Sequence, residues 1–136
     1  MTGAFNDLFS EHAATYVAAR PEYPDELYRF VVGLAPGREL AWDCATGNGQ
    51  AARDLARYFE RVIATDASAA QIEHAAPVPN VEYRVATAES SGLADRSVQL
   101  VTVAQALHWL DLDAFYAEVR RVTVPGGVLA AWSYGA

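Results

Sequence analysis

A strand-like run that breaks into a glycine loop and then enters a helical pattern is the feature that most constrains this sequence. The run covers residues 39–44 and contains Asp43, and the loop contains Gly47 and Gly49. Glycines there let the backbone turn sharply and let a ligand approach the main chain closely, because no Cβ stands in the way. The strand–loop–helix order therefore predicts a nucleotide-type ligand at this loop.

The rest of the chain repeats the alternation of strand and helix. Apolar runs separated by turn signals predict five strands, at residues 39–44, 61–66, 81–86, 98–104 and 128–133. Apolar residues at helical spacing predict helices near residues 50–60, 68–76 and 112–122. This alternation predicts an α/β fold, a doubly wound and mostly parallel Rossmann-like sheet with helices on both faces.

The first 36 residues are predicted to form a helical lid over this sheet. Pro24 begins a helix, and one buried face is predicted from the apolar spacing of Leu27, Phe30, Val31 and Leu34. Residues 37–136 then form the α/β core, and a chain of 136 residues is expected to be a single domain.

Composition and charge exclude several classes of protein. Apolar residues make up 52% and charged residues 20%, as in a soluble globular domain. A formal charge of −7 argues against a nucleic-acid partner, and no apolar run is long enough to span a membrane. The one cysteine, Cys44, excludes an internal disulfide and fits a reducing, cytoplasmic location. No HExxH, CxxC or carboxylate cluster indicates a metal.

Acidic residues end the first two predicted strands, where ligands of parallel sheets bind. The carboxylate of Asp43 suits a ligand with an ammonium group and repels a diphosphate, which favours S-adenosylmethionine over NAD. Asp66 can accept hydrogen bonds from both ribose hydroxyls of an adenosine, or it can cap the helix near Ser68 instead. Because residues 47–52 also satisfy G-x-G-x-x-A, an NAD-dependent oxidoreductase remains an alternative.

The ends of the third and fourth strands supply further candidates. Glu89 can accept from an adenine amine beside the backbone of Ala88, or it can begin a helical turn. Gln105 lies at the expected pocket floor, and His108 and Trp109 place a polar and an aromatic group near the reactive centre. Structural packing is the alternative for His108 and Trp109.

The predicted lid carries the remaining candidates. Arg20 offers a planar fork of donors to a carboxylate of the cofactor or substrate. Tyr16 and Tyr23 flank it along the chain, with prolines at residues 21 and 24 that restrict the path of the backbone. The alternative is a helical hairpin that only closes the core.

With these motifs placed, the chain resembles the class I S-adenosylmethionine-dependent methyltransferases. Four motifs carry the resemblance, in the family's order: Asp43-x-Ala45-x-Gly47-x-Gly49, Asp66, Ala88-Glu89 and Val124-Pro125-Gly126-Gly127. Two further segments, residues 16–24 and 106–111, are similar to a branch of small-molecule enzymes that includes the trans-aconitate methyltransferases.

The resemblance implies a cofactor, a reaction and a set of site residues. S-adenosylmethionine would be held by Asp43, Ala45, Gly47, Gly49, Asp66, Ala67, Ala88, Glu89, Gln105 and Arg20. The acceptor, a small molecule, would contact Tyr16, Tyr23 and Trp109, with His108 as the candidate catalytic residue. The reaction would be in-line displacement at the sulfonium methyl, and a non-catalytic cofactor-binding fragment is the alternative.

The sequence departs from the family pattern in three places. Ala45 replaces a glycine, so we expect it to avoid positive φ or the loop to differ, and Thr87 replaces a frequent adenine-binding aspartate. The family sheet usually has seven strands, so the resemblance predicts that this chain is truncated after the fifth. Strand Val128–Trp132 would then be an exposed edge, through which the chain could form a homo-oligomer.

Overall fold

The computed structural model describes residues 23–104 and 111–132. Its strands are β1 (Leu40–Cys44), β2 (Arg61–Asp66), β3 (Val81–Val85), β4 (Val98–Ala104) and β5 (Thr123–Trp132). Its helices are α1 (Asp25–Leu34), α2 (Gln50–Leu55), α3 (Ala69–Glu73) and α4 (Leu112–Val122). No helix in these two ranges is both long and apolar enough to cross a lipid bilayer.

The five strands form one parallel sheet in the order β3-β2-β1-β4-β5. The chain builds outward from β1 to β3 and then returns to place β4 on the other side of β1. This reversal opens a crevice at the carboxyl ends of β1 and β4, where ligands of doubly wound sheets bind. The predicted Rossmann-like α/β class is confirmed.

Two apolar clusters cover the two faces of the sheet. One contains α1 and α2 residues such as Val32 and Leu55, and the other contains α4 residues such as Phe115 and Val119. Side chains of β1 alternate between them, with Ala41 in the first cluster and Trp42 in the second. Helices therefore lie on both faces, as predicted.

The buried face of α1 differs from the prediction. Phe30 and Leu34 are 67% and 54% exposed, whereas Tyr28, Val31 and Val32 are buried. Both sets have helical spacing, so periodicity alone does not choose between them. The sheet chooses, because the ring of Tyr28 packs edge-on against that of Trp132 at a centroid distance of 6.0 Å.

Two helices are shorter than predicted. The α2 helix ends at Leu55 rather than near residue 60, and α3 covers Ala69–Glu73 rather than 68–76. Beyond α2, the side-chain amide of Asn80 donates to the carbonyls of Ala56 and Phe59, at 2.9 Å each. These bonds come from a residue more than 20 positions away, so no local pattern could have predicted them.

The strand ends also correct the prediction. The β3 strand ends at Val85, and β5 begins at Thr123 rather than 128, so Pro125-Gly126-Gly127 lies within β5. The pairing shifts there, since Val98 pairs with Thr123 but Leu100 pairs with Val128. The extra residues form a bulge in which Gly126 adopts φ +82°.

Candidate functional site

A cavity of about 150 Å³ lies at the carboxyl ends of β1 and β4. Its walls come from both strands, the loop after β1, the start of α2 and the segment before α1: Tyr23, Asp43, Ala45, Thr46, Gly47, Asn48, Gln50, Ala51 and Ala104. Pockets that enclose a whole small-molecule ligand are larger, roughly 300–1,000 Å³. The cavity that the described residues form is therefore large enough for only part of such a ligand.

The loop after β1 is built from alternating residues with positive φ. Ala45, Gly47 and Gly49 have φ values of +55°, +60° and +89°. A Cβ on Gly47 would meet no atom within 4 Å, so this glycine keeps the backbone open toward a ligand. A Cβ on Gly49 would lie 2.8 Å from the ring of Tyr83, so this position excludes any side chain.

Ala45 corrects an expectation from the sequence. It does not avoid positive φ, but keeps the left-handed conformation that the family's glycine would adopt without strain. Hydrogen bonds of the next two residues hold the loop, since the Thr46 amide donates to the Thr65 carbonyl at 2.8 Å and the Gly47 amide donates to Oδ2 of Asp66 at 2.9 Å. The loop shape is thus maintained by neighbouring backbone rather than by the residue at position 45.

Asp43 is buried at the wall of the cavity, with 1% of its surface exposed. Its Oδ1 accepts from the hydroxyl of Thr102 at 2.7 Å, and its Oδ2 accepts from that of Thr46 at 2.6 Å. Burial raises the pKa of Asp43 to about 6, while the two hydroxyls oppose the shift and the charge of Asp66 adds to it. Each oxygen retains lone-pair capacity for a cation from the cavity.

Asp66 joins two loops at the end of β2. Its Oδ2 accepts from the Gly47 amide and its Oδ1 from the Ser68 amide, at 2.9 Å each. The N-cap of α3 is Ser68, whose hydroxyl accepts from the Gln71 amide at 3.3 Å, so the capping alternative for Asp66 is wrong. The ribose-binding role of Asp66 stays a prediction.

The turn after β3 holds Ala88 and Glu89. Ala88 is buried in the second cluster, and Glu89 lies in a turn closed by a bridge between Thr87 and Ser90. The alternative that Glu89 begins a helix is therefore wrong. Its role beside an adenine, and that of Ala88, stay predictions.

Comparison with known proteins identifies the family to which this chain belongs. The profile of a methyltransferase domain family matches residues 42–131, which contain β2, β3 and β4 and most of β1 and β5. The chain belongs to the class I S-adenosylmethionine-dependent methyltransferases. The resemblance drawn from the four sequence motifs is thus confirmed.

Individual relatives support the methyltransferase assignment. A Dictyostelium discoideum protein named as a methyltransferase is 45% identical over 96% of this chain and 50% of its own length. A structure described as a type II methyltransferase from Anaeromyxobacter dehalogenans is 51% identical, with a TM-score of 0.82 over 85% of this chain and 49% of that one. This chain therefore spans about half the length of the relatives it matches.

A more distant structure shares the fold alone. It is a geranyl diphosphate C-methyltransferase from Streptomyces coelicolor, 18% identical with a TM-score of 0.67, over 78% of this chain and 43% of that one. That protein was solved with magnesium, geranyl diphosphate and S-adenosyl-L-homocysteine.

The remaining predicted site residues fall into two groups. Tyr23 is buried and lines the cavity, and Ala67 is exposed between Asp66 and Ser68. The others lie outside the described residues: Tyr16, Arg20, Gln105, His108 and Trp109. Their roles in this methyltransferase stay predictions, as does the lid, since 22 of its 36 residues are among those not described.

Sequence reasoning missed three residues of the site. Thr46 and Thr102 donate to Asp43, and Glu118 on α4 accepts from the Ser91 amide at 2.9 Å and hydroxyl at 2.6 Å, near the Ala88–Glu89 turn. A hydroxyl residue within the apolar β4 run was a visible signal for Thr102, because threonine interrupts valines there. Nothing in the local sequence indicated Glu118.

Proposed function

We propose that this chain is the cofactor-binding part of an enzyme that transfers a methyl group from S-adenosylmethionine to a small-molecule acceptor. The observation that carries the proposal is the buried carboxylate of Asp43 on the cavity wall, beside a loop with backbone open to a ligand. An ammonium group would neutralise that charge, and the methionine part of S-adenosylmethionine carries one. Family membership supports the same cofactor.

The residues present fit this cofactor. Asp43 would receive the ammonium group, and the Ala45–Gly49 backbone would lie along the methionine part within the cavity. Asp66 would receive the ribose hydroxyls through lone pairs that its two amide contacts leave available. Ala88 and Glu89 would border the adenine.

S-adenosylmethionine, when bound, would supply an electrophilic methyl group on a sulfonium, so that an acceptor oxygen, nitrogen or carbon would bond to the methyl carbon in line as the S–CH3 bond breaks and S-adenosylhomocysteine leaves. Since the thioether leaves readily, the contribution of the protein is mainly orientation, which can supply about 7–11 kcal/mol. A general base is needed only for an acceptor that must lose a proton, and His108 is the candidate for that role. A carboxylate acceptor needs none.

Ligand binding separates this proposal from an NAD-dependent oxidoreductase. A ligand at 100 times its dissociation constant stabilises a protein by about 2.7 kcal/mol. Thermal unfolding and calorimetric titration should show stabilisation by S-adenosylhomocysteine and none by NAD. The reverse result would overturn the proposal.

Two further measurements test the identity of the cofactor and the transfer of a methyl group. Mass spectrometry of the undenatured protein should detect a co-purifying adenosyl compound. Transfer of labelled methyl from S-adenosylmethionine to small carboxylic acids, beginning with trans-aconitate, tests the acceptor class. Cofactor binding without methyl transfer to any acceptor would favour the non-catalytic alternative.

A further inference from the structure

Thr102 is a fully buried polar residue at the centre of the sheet. It lies on β4 between Val101 and Val103, and it is in register with Asp43 on β1. A buried hydroxyl is unfavourable unless it forms a hydrogen bond. That bond is the 2.7 Å contact from the Thr102 hydroxyl to Oδ1 of Asp43.

The hydrogen bond from Thr102 matters because other surroundings of Asp43 oppose ionisation of its carboxyl group. Burial and the neighbouring charge of Asp66 both oppose ionisation of the Asp43 carboxyl, and the hydroxyls of Thr46 and Thr102 favour it. Tyr28 on α1 and Tyr83 on β3 are close enough to Asp43 for its negative charge to act on their hydroxyl groups. The nearby cation, Arg53 on α2, donates to the Asn48 carbonyl at 3.0 Å, whereas the hydrogen bonds to the Asp43 carboxylate among the described residues come from the neutral hydroxyls of Thr46 and Thr102.

The two hydroxyls differ in how firmly they are held. Thr46 belongs to the loop and is partly exposed, whereas Thr102 has no exposed surface and is fixed by strand pairing to both β1 and β5. A rigid second partner is what holds a binding group in one orientation. Of the two donors to Asp43, Thr102 is therefore the one held by the sheet.

We propose that Thr102 is a positioning residue of the cofactor site, whose hydroxyl orients the Asp43 carboxylate and keeps it ionised to receive the cofactor's ammonium group. This inference rests on the proposed function. Thr102 itself does not line the cavity, so it acts through Asp43.

The test is the pH dependence of S-adenosylhomocysteine affinity, measured by calorimetry from about pH 5 to 8.5. In the wild type, affinity should fall below about pH 6, where a proton competes for Asp43. Thr102→Val keeps the shape but removes the donor, and a hydrogen bond to a charged group is worth enough to move this midpoint upward by roughly one unit or more. The amine of S-adenosylhomocysteine titrates in the same way with every variant, so it cannot cause a difference in midpoint between them.

Two variants separate positioning from packing. Thr102→Ser retains the donor and should restore the wild-type midpoint. Thr65→Val is the matched control, because Thr65 is an equally buried strand threonine whose hydroxyl accepts from the Trp42 indole at 2.9 Å rather than contacting Asp43. It should lose stability and leave the midpoint unchanged.

The outcomes are distinguishable. If all variants bind with one unshifted midpoint, or if Thr65→Val shifts it as much as Thr102→Val, the role of Thr102 is overturned alone. If the wild type fails to bind S-adenosylhomocysteine at any pH, the proposed function is overturned and this inference with it. Should Thr102→Val fold poorly, Thr102→Cys gives the same comparison, because a thiol is a weak donor.

Discussion

At the scale of single residues, the left-handed conformation of Ala45 preserves the shape of the loop but lowers the stability of the protein. A non-glycine residue in the left-handed region is strained by about 1–2 kcal/mol. The strain persists because the bonds around it, including that from Thr46 to Thr65, fix the loop. Alanine here is therefore tolerated rather than preferred.

Ala45→Gly should stabilise the protein by up to about 1 kcal/mol, because relief of strain exceeds the entropy that glycine adds to the unfolded chain. Urea denaturation measures this. The control is Ala70→Gly in the exposed part of α3, which should destabilise by about 0.5–1 kcal/mol. Equal destabilisation by both changes would contradict the strain argument.

The buried charge of Asp43 lowers the stability of the fold, although the proposed binding of an ammonium group needs that charge. Its folded pKa is raised to about 6 from 3.8, so the folded state favours the protonated form. Stability is therefore lost as pH rises through this window, and above it the buried charge costs on the order of 1–3 kcal/mol.

Asp43→Asn should therefore raise the free energy of unfolding of the ligand-free protein at pH 8, by about 1–3 kcal/mol, with little gain at pH 4. It should at the same time weaken S-adenosylhomocysteine binding at pH 8 at least tenfold, because the amide cannot neutralise an ammonium group. Denaturation at the two pH values and calorimetry check this. An equal gain in stability at both pH values would argue against a buried charge as the cause.

At the scale of elements, an ion-pair cluster ties the loop after β3 to α4. Glu118 accepts from Ser91 and from both Nε and a terminal nitrogen of Arg121, at 2.9 and 2.7 Å, and Arg121 also pairs with Asp95 at 2.6 Å. The Arg121 guanidinium, together with the Ser91 donors, lowers the pKa of Glu118 to about 2 against the effect of burial. This cluster holds the segment that follows Ala88 and Glu89.

Glu118→Gln should destabilise the protein by about 1–3 kcal/mol at pH 7, because the charged acceptor is lost. Since the folded pKa is lowered, the wild type keeps this contribution above about pH 4.5 and loses it as pH falls toward about 2. The difference between the two proteins should shrink over that window in urea denaturation. Glu82→Gln, which affects an exposed pair with Arg61 and Arg84, should change stability by roughly 0.5 kcal/mol or less at any pH.

At the scale of the whole molecule, β5 lies at one edge of the sheet and β3 at the other. An open edge strand offers unpaired backbone groups to another chain. Association through β5, expected from the sequence, stays a prediction.

Ala131→Lys places a charge on the exposed side of β5 and should reduce any concentration-dependent self-association seen by sedimentation velocity. The control is Val85→Lys on β3, the opposite edge, where the side chain is 57% exposed. Loss of association with the β3 variant alone would place the interface at the other edge.

Much of the fold could be predicted from local patterns. Strand β2, strand β4 and helix α4 have the predicted bounds, because alternation and helical spacing are properties of short windows. Asp43 and Asp66 were found for the same reason, since each lies at the carboxyl end of its strand. The buried face of α1 could not be predicted, because two stripes of equal periodicity overlap and only contact with Trp132 separates them.

By itself, the sequence determined the order of strands and helices, the glycine loop and the presence of Asp43 and Asp66 at strand ends, all of which depend on neighbouring residues. Only the tertiary structure decided which groups act on those acids. Thr102 meets Asp43 across 59 positions of the chain, and Ser91 meets Glu118 across 27. The Thr102–Asp43 pair forms because the parallel crossovers bring β1 and β4 into register, whereas the Ser91–Glu118 pair joins the loop after β3 to α4. Cofactor binding is proposed to depend on the charge state of Asp43 that the first pair favours.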